Sequence, residues 1–347
     1  MLNRDGGNNK MSCKIRYANI ADIDSIMKFI KKNWAYKHIL ANSKGFFIYE
    51  FMNFNKGLNF VIAEKNKDIQ AILGFIEYGN ENQNIMTVMW KSISKENPFL
   101  GVELLKYLTE DNVYKSVSSV GINKKTEGIY KFLGYTTGSL QHFYRLANRE
   151  SYNIAKIGEK IIIPYTVEKG FELILLNNFE ELLGNFNYES YNKSNSNPFK
   201  EAWYIEKRYY KHPIYQYKVF GIKNVKCDAV YSLIIGREIT QNNSKILRIV
   251  DFLGNEEDLN NISFEIEKLI EEEGYEYIDF YQYGIDEKVL HNAGFIKKTG
   301  DINIIPNYFE PYELKNVDIH FFTTNSENIR LFKADCDQDR PNYFMEE

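Results

Sequence analysis

Gly121-Ile-Asn-Lys-Lys-Thr-Glu-Gly-Ile-Tyr-Lys-Phe-Leu-Gly-Tyr135 joins two kinds of pattern. A β-rich run, Ser116 to Ile122, ends inside it, and a helical segment, Thr126 to Leu133, follows after Asn123. Gly134 stands just past the helix, where glycine takes the left-handed backbone at little cost. A strand that turns through Asn123 into a short helix carrying Tyr130 is therefore expected.

Moving outward, Asn97-Pro98-Phe99-Leu100-Gly101 feeds a helix in which Val102, Leu105 and Leu108 recur at helical spacing, with Pro98 near the first turn. The first amides of such a helix have no internal partner and point outward with the positive end of the dipole, so the loop suits a phosphate. Upstream, Ile85 to Ser92 reads as a strand. Asn59 to Glu64 and Ala71 to Tyr78 read as a hairpin about the charged turn Lys65 to Asp68. Lys14 to Ala18 is a short strand, and Ile23, Ile26, Met27 and Ile30 line one face of a helix from Ala21 to Trp34. A last strand is expected from Ser139 to Leu146. The order gives an α/β (α+β) unit: a central mixed sheet with helices on both faces.

This layout resembles the GCN5-related N-acetyltransferases over about residues 14 to 146. The late motif of that family carries the Asn, the Tyr and the closing Gly in the same arrangement. The resemblance implies acetyl-CoA as co-substrate, Asn123 touching the cofactor arm, and Tyr130 near the thioester sulfur as general acid. The family's pyrophosphate loop, written R/Q-x-x-G-x-G/A, is matched at Gly101 and departs from the pattern at Pro98 and Glu103. Backbone donors from Phe99, Leu100, Gly101, Val102 and Glu103 are the expected cofactor contacts. The opening Ile15 to Asp22 is also similar to the family's first strand and helix.

The pattern starts again after a connector, 149–165, that ends on the apolar Ile161-Ile162-Ile163-Pro164. A helix is expected at Phe179 to Asn185, strands at Tyr217 to Ile222, Ala229 to Arg237 and Lys245 to Phe252, and a helix at Ile262 to Glu272. Tyr277 to Tyr281 and Val289 to Phe295 repeat the 123–135 layout in weaker form. Two tandem domains of the same family are the expectation: 1–12 disordered, 13–148 binding acetyl-CoA, and 166–347 a degenerate copy with a substrate or structural role. In that copy Leu253-Gly-Asn-Glu-Glu-Asp-Leu259 sets three carboxylates where a pyrophosphate would sit. The counterpart of Tyr130 falls near Leu290 or His291.

Composition limits the partners. The 347 residues carry 43 basic and 47 acidic side chains, well mixed, so no positive field exists to hold a nucleic acid. Cys13, Cys227 and Cys336 lack the spacing of a zinc site or a disulfide framework, and a reducing cytoplasm fits. No apolar run approaches the roughly 20 residues of a membrane span, and Met1 to Lys10 is polar and unlike a signal peptide. A monomer or homodimer is expected.

Acetyl transfer needs an acid for the departing thiolate and a route for the amine's proton. A phenol of ordinary pKa about 10 suits the first task, hence Tyr130. The fourth strand offers no carboxylate for the second, so Glu77, His38 or a group from the second half are the candidates. Trp34 and Trp90 read as core or pocket-wall residues that a sugar could stack on. Trp203 to Tyr215, with Arg208 and His212, and Lys333 to Asn342, with Asp335, Asp337, Asp339 and Arg340, are similar to segments of tandem acyltransferase-like proteins encoded with surface-polysaccharide genes. That likeness implies a small-molecule amine acceptor, an amino sugar that is free or nucleotide-linked. The alternating carboxylates of the second segment either converge on a ligand or pin a tail by salt bridges; no calcium loop is completed, and no metal is assigned. The alternatives are a non-catalytic sugar- or protein-binding module with an eroded CoA loop, and a relative that transfers aminoacyl groups.

Overall fold

The computed structural model describes residues 13–53, 55, 57–79, 84–110, 114–164, 170–194 and 196–343. The segment expected to be disordered, 1–12, lies outside them. The chain forms two compact units, one of residues 1–77, 87–114 and 343–347, the other of residues 78–86 and 115–342.

The first unit holds β1 (Lys14–Tyr17), α1 (Ile23–Asn33), α2 (Ile39–Asn42), α3 (Lys44–Phe51), β2 (Phe60–Lys65), β3 (Asp68–Glu77), most of β4 (Asn84–Ser92) and α4 (Leu100–Glu110). β1 pairs antiparallel with β2, and β2 with β3. The expected hairpin is present: Lys65 pairs with Asp68, and Asn66 and Lys67 take positive φ (54° and 70°), as a two-residue primed turn requires. Asn19 and Asp22 close a capping box before α1, whose Ile23, Ile26, Phe29 and Ile30 are buried. Phe47, Phe51 and Phe60 pack with ring centroids 4.5–5.5 Å apart, which anchors α3 on the sheet. The same spacing rules apply in both units, but the second adds an exchange of strands.

The second unit begins with residues 84–86 of β4, which pair parallel with Ser116–Ser118 of β5 (Ser116–Ile122). There follow α5 (Glu127–Phe132), β6 (Thr136–Ser139), β7 (Gln141–Leu146), β8 (Phe171–Leu175), α6 (Phe179–Asn185), α7 (Tyr188–Asn192), α8 (Ala202–Ile205), β9 (Lys218–Asn224), β10 (Ala229–Gln241) and β11 (Ser244–Gly254). After them come α9 (Ser263–Glu273), β12 (Tyr277–Tyr283), α10 (Glu287–Asn292), β13 (Ile296–Lys297), the small hairpin β14 (Tyr308–Phe309) and β15 (Tyr312–Glu313), β16 (His320–Thr323) and β17 (Leu331–Phe332). The strand expected from Ser139 to Leu146 is two strands. Only Leu140 separates β6 from β7, yet they belong to different sheets. The large sheet runs β13-β7-β12-β11-β10-β9-β8, with β17 beside β12.

Each half repeats one unit with a gap in it. β5 and β6 are joined by α5, and β16 from the far end of the chain lies between them, antiparallel to both. β12 and β13 are joined by α10, and β7 from the first half of the chain lies between them, antiparallel to both. The reason is that a parallel β-α-β crossover leaves an open ladder on each strand, and an antiparallel insert satisfies both edges. The core of the large sheet is apolar on its α9 face, with Ile249, Phe252, Ile266, Ile270 and Phe280. No helix among the described residues is long and apolar enough to cross a membrane.

Candidate functional site

β5 delivers the chain to Asn123, whose side-chain oxygen accepts from the Lys125 amide at 2.9 Å and whose carbonyl accepts from Thr126 Oγ1 at 2.7 Å. This cap starts the helix that carries Tyr130. Gly134 closes it with φ +82°. Tyr130 is buried, and its ring stacks on Phe322 of β16 with centroids 4.1 Å apart and 14° between planes. Burial pushes the phenol well above its usual pKa; a hydrogen bond with Thr126 opposes this and the Cys336 thiol adds to it. Tyr130 is therefore neutral across the physiological range.

The floor and one flank of this site come from sequence that motif reading did not place there. Phe322 lies beneath Tyr130, and His320 of the same strand meets Glu127 at 3.1 Å, one helical turn before Tyr130. The Val120 amide, two residues past the last β4–β5 pair, donates to Cys336 Sγ at 2.9 Å. Gln338 covers Gly121, where a Cβ would stand 2.0 Å from Gln338 Nε2 and where φ is +94°. The absence of a side chain at Gly121 is the signal that a close neighbour was required, although sequence cannot name it.

Two buried ion clusters hold that neighbour. Asp335 meets Lys200 Nζ at 2.9 Å and accepts from Tyr78 OH at 2.8 Å. Lys200 also reaches Asp251 at 2.6 Å, and Tyr209 OH donates to Asp251. Asp339 meets Arg237 at 2.8 Å and accepts from Tyr217 OH at 2.9 Å. Arg208 donates to Tyr217 OH at 2.7 Å and to the Asp339 carbonyl at 2.6 Å. Asp339 sits well below the usual carboxylate range: burial acts to raise it, and Arg237, Arg208 and Lys333 outweigh burial. Of the residues expected to meet a substrate, then, Arg208 and Asp339 meet each other, and Arg340 meets Asp337 at 3.2 Å. The carboxylates at 335 and 339 point into separate cation clusters, and no metal-holding group of His, Cys, Asp or Glu occurs among the described residues. His212, considered with Arg208 as an anion contact, is neutral: burial and Arg208 lower it to about 3, and its Nδ1 accepts from the Ile214 and Tyr215 amides.

The second half places Leu290 where the first has Tyr130, since each is the fourth residue of a six-residue helix and precedes its closing glycine by four. β11 and β12 pair in parallel only from Leu247–Ile278 to Ile249–Phe280. Beyond that the chain's own Leu331–Ala334 fills the opening: β17 pairs with β12, and the Ala334 amide donates to Val250. A cavity of about 500 Å³ lies where β12 turns into α10, and Glu256, Asp286 and Glu287 among its lining residues make it acidic. Neither the filled opening nor this lining suits a pyrophosphate.

In the first unit, α4 starts as expected. Asn97 accepts from the Phe99 amide at 3.0 Å and its Nδ2 donates to Glu103 at 2.9 Å; the Leu100 amide donates to Asn97 O and that of Glu103 to Phe99 O. Gly101 and Val102 supply the first-turn donors that remain by position. Trp90 Nε1 donates to Gly101 O at 2.9 Å, so this tryptophan packs against the helix start. Met89 in β4 takes φ +50°, a break in the strand that re-aims its amides. His38 caps α2, its Nδ1 accepting from Leu40 N at 3.2 Å, while Glu77 ends β3 and the half-exposed Trp34 follows α1. Glu103 departs from a phosphate site, because its carboxylate stands at the positive end of α4.

No family model matches the chain, and no curated protein does. Among solved structures the chain is similar to a conserved protein of unknown function from Enterococcus faecalis V583, a probable N-acyltransferase, at 10% identity over 90% of this chain and 72% of that one, with TM-score 0.53. It is likewise similar to a GCN5-related N-acetyltransferase from Anabaena variabilis ATCC 29413, at 11% identity over 90% and 72%, with TM-score 0.50. At such identities the likeness is one of fold, and it covers most of the chain: mixed sheets flanked by helices, in the fold of the GCN5-related N-acetyltransferases and consistent with two tandem copies.

Proposed function

We propose that the chain is an acetyl-CoA-dependent N-acetyltransferase with one live site, in its first half, and that the acceptor is an amino sugar destined for a surface polysaccharide. The observation that carries the reading is the asymmetry of the two copies. Tyr130 is a buried, protonated phenol at the helix after β5, whereas Leu290 and a self-filled opening stand at the same place after β12.

The neutral amine nitrogen attacks the thioester carbonyl carbon, the C–S bond breaks toward sulfur, the Tyr130 O–H supplies the thiolate with a proton, and the proton that nitrogen loses passes to solvent, which restores that of Tyr130. Within the first unit, the first-turn amides of α4 have the character of a phosphate site. Support for an amino sugar is the similarity of Trp203 to Tyr215 and Lys333 to Asn342 to segments of polysaccharide-linked proteins, together with the Arg208–Asp339 link that joins the two. Titration calorimetry with acetyl-CoA, on the protein and on Gly101→Glu, tests the donor site; 1:1 binding lost in the variant is the expected result. Acetylation of glucosamine, followed by mass, tests the acceptor. The Glu103 carboxylate at the start of α4 favours a second reading, a binding module that no longer holds CoA, and absence of calorimetric binding would select it.

A further inference from the structure

The segment after β17 is anchored at both ends, and between them Cys336 is buried while Asp337 and Gln338 are partly exposed. Asp335 and Asp339 are fully buried and each is held by cations and a phenol, so neither can move far without stranding a charge. Between these anchors Cys336, in a left-handed conformation (φ +62°), turns the chain onto β5. Its Sγ meets the Val120 amide, and Gln338 lies on Gly121, one residue further along the strand that leads to Asn123. The Cys336 thiol is close enough to Tyr130 to act on its phenol, and burial, with Asp337 next, keeps that thiol protonated. A neutral, hydrogen-bonded thiol is a wall and not a nucleophile.

Asp337 sits between these two contacts. It is the one carboxylate of the three that keeps solvent access, its side chain 25% exposed, and it meets Arg340 at 3.2 Å and Gln338 Nε2 at 3.1 Å. A carboxylate can accept about four hydrogen bonds, so two such contacts orient it without saturating it. The first half supplies a proton donor in Tyr130 but no carboxylate on its fourth strand, and the second half brings one beside β5.

We propose that Cys336–Gln338 forms the acceptor wall of the Tyr130 site, and that Asp337 is the catalytic carboxylate that binds a primary ammonium group and takes its proton. This rests on the acetyltransferase reading above and adds to it the class of acceptor. The proton leaves nitrogen for Asp337 Oδ, the freed lone pair forms the N–C bond, the C–S pair goes to sulfur, and Tyr130 protonates the thiolate. The second N–H proton passes to solvent as the amide forms, and solvent also carries the Asp337 proton away and restores that of Tyr130; nitrogen thus loses two protons, sulfur gains one, and one is released per acetyl transferred.

The test compares the full chain with Asp337→Asn and Asp337→Glu in three measurements: acetyl-CoA binding by calorimetry, acetylation of glucosamine, and hydrolysis of acetyl-CoA without acceptor, where water replaces the amine. We expect Asp337→Asn to bind acetyl-CoA within about twofold of the parent, to lose about 100-fold in kcat/KM for glucosamine and to slow hydrolysis similarly, with Asp337→Glu recovering part of the loss. Unchanged turnover in Asp337→Asn overturns the inference and leaves the acetyltransferase reading standing, and loss of acetyl-CoA binding overturns it by moving Asp337 to the donor side. A parent that neither binds acetyl-CoA nor releases its acetyl group overturns the acetyltransferase reading, and the inference falls with it.

Discussion

The amide of Val120 donates to the Sγ of Cys336 at 2.9 Å, tying a strand of the first half to a residue 216 positions later. Both are buried, and water cannot replace the acceptor if it is lost. Cys336→Ala is expected to destabilise by about 1–3 kcal/mol, and Cys336→Ser, which keeps an acceptor, by less. Urea unfolding of the two variants checks the order; equal losses would mean that packing and not the hydrogen bond matters.

Tyr130→Phe keeps the ring on Phe322 and removes only the O–H. Turnover should fall by roughly 100-fold while the acetyl-CoA Kd stays within about threefold. A parallel loss in both would remove Tyr130 from the acid role.

Gly121→Ala places a Cβ against Gln338 and forces an L-residue into φ +94°. The Gln338 side chain can swing away, but the backbone term of about 1–2 kcal/mol cannot be relieved. Gln338→Ala in the Gly121→Ala background is therefore expected to restore part of the stability and not all of it, read as a double-mutant cycle from melting curves.

Lys200 bridges two carboxylates, Asp251 and Asp335, in a buried cluster. Lys200→Met would leave both charges facing each other without a cation, at a cost of about 3–5 kcal/mol. The triple change that also converts Asp251 and Asp335 to Asn should lose less than Lys200→Met alone, which calorimetric unfolding can decide.

His142, Asp279 and Arg248 form a buried line across β7, β12 and β11: His142 Nε2 lies 3.0 Å from Asp279 Oδ2, and Arg248 NH2 lies 2.6 Å from the same atom. Burial lowers His142 to about 4, although Asp279 acts against it; Asp279 itself stays at about 2 because Arg248 and His142 outweigh burial. Both folded values lie below the ordinary ones, so the unfolded chain binds more protons as pH falls. The stability contribution is complete above about pH 6.5 and is lost as pH drops through 4 for His142, then from about 3.9 toward 2 for Asp279. The urea midpoint should decline from pH 7 to pH 4, and His142→Phe should flatten that slope; an unchanged slope would refute the assignment.

The short-range features were legible in the sequence because their causes are local. The Lys65–Asp68 hairpin, the Asn123 cap, the helix closed by Gly134 and the buried face of α1 follow from turn chemistry and periodicity over a few residues. The weaker repeat of the 123–135 layout at Tyr277 to Tyr281 and Val289 to Phe295 was legible for the same reason: a strand and a short helix closed by glycine stand there. The three acidic residues after Leu253 were legible as charge alone.

What only the tertiary structure decided is which distant strand completes each gap and what then lies beside the site. β7 and β6 differ by one intervening residue, so no local pattern could assign them to different sheets; the edges of β5–β6 and β12–β13 did so. Likewise Asp335, Asp337 and Asp339 look alike in sequence, and their different fates, two sealed against Lys200 and Arg237 and one left at the surface, depend on cations up to 135 and 102 positions away. Hydrogen-bond and charge satisfaction act in space and not along the chain. The sequence by itself determined the two copies and the tyrosine of one of them, and the exchange of β7 and β16 determined what surrounds it.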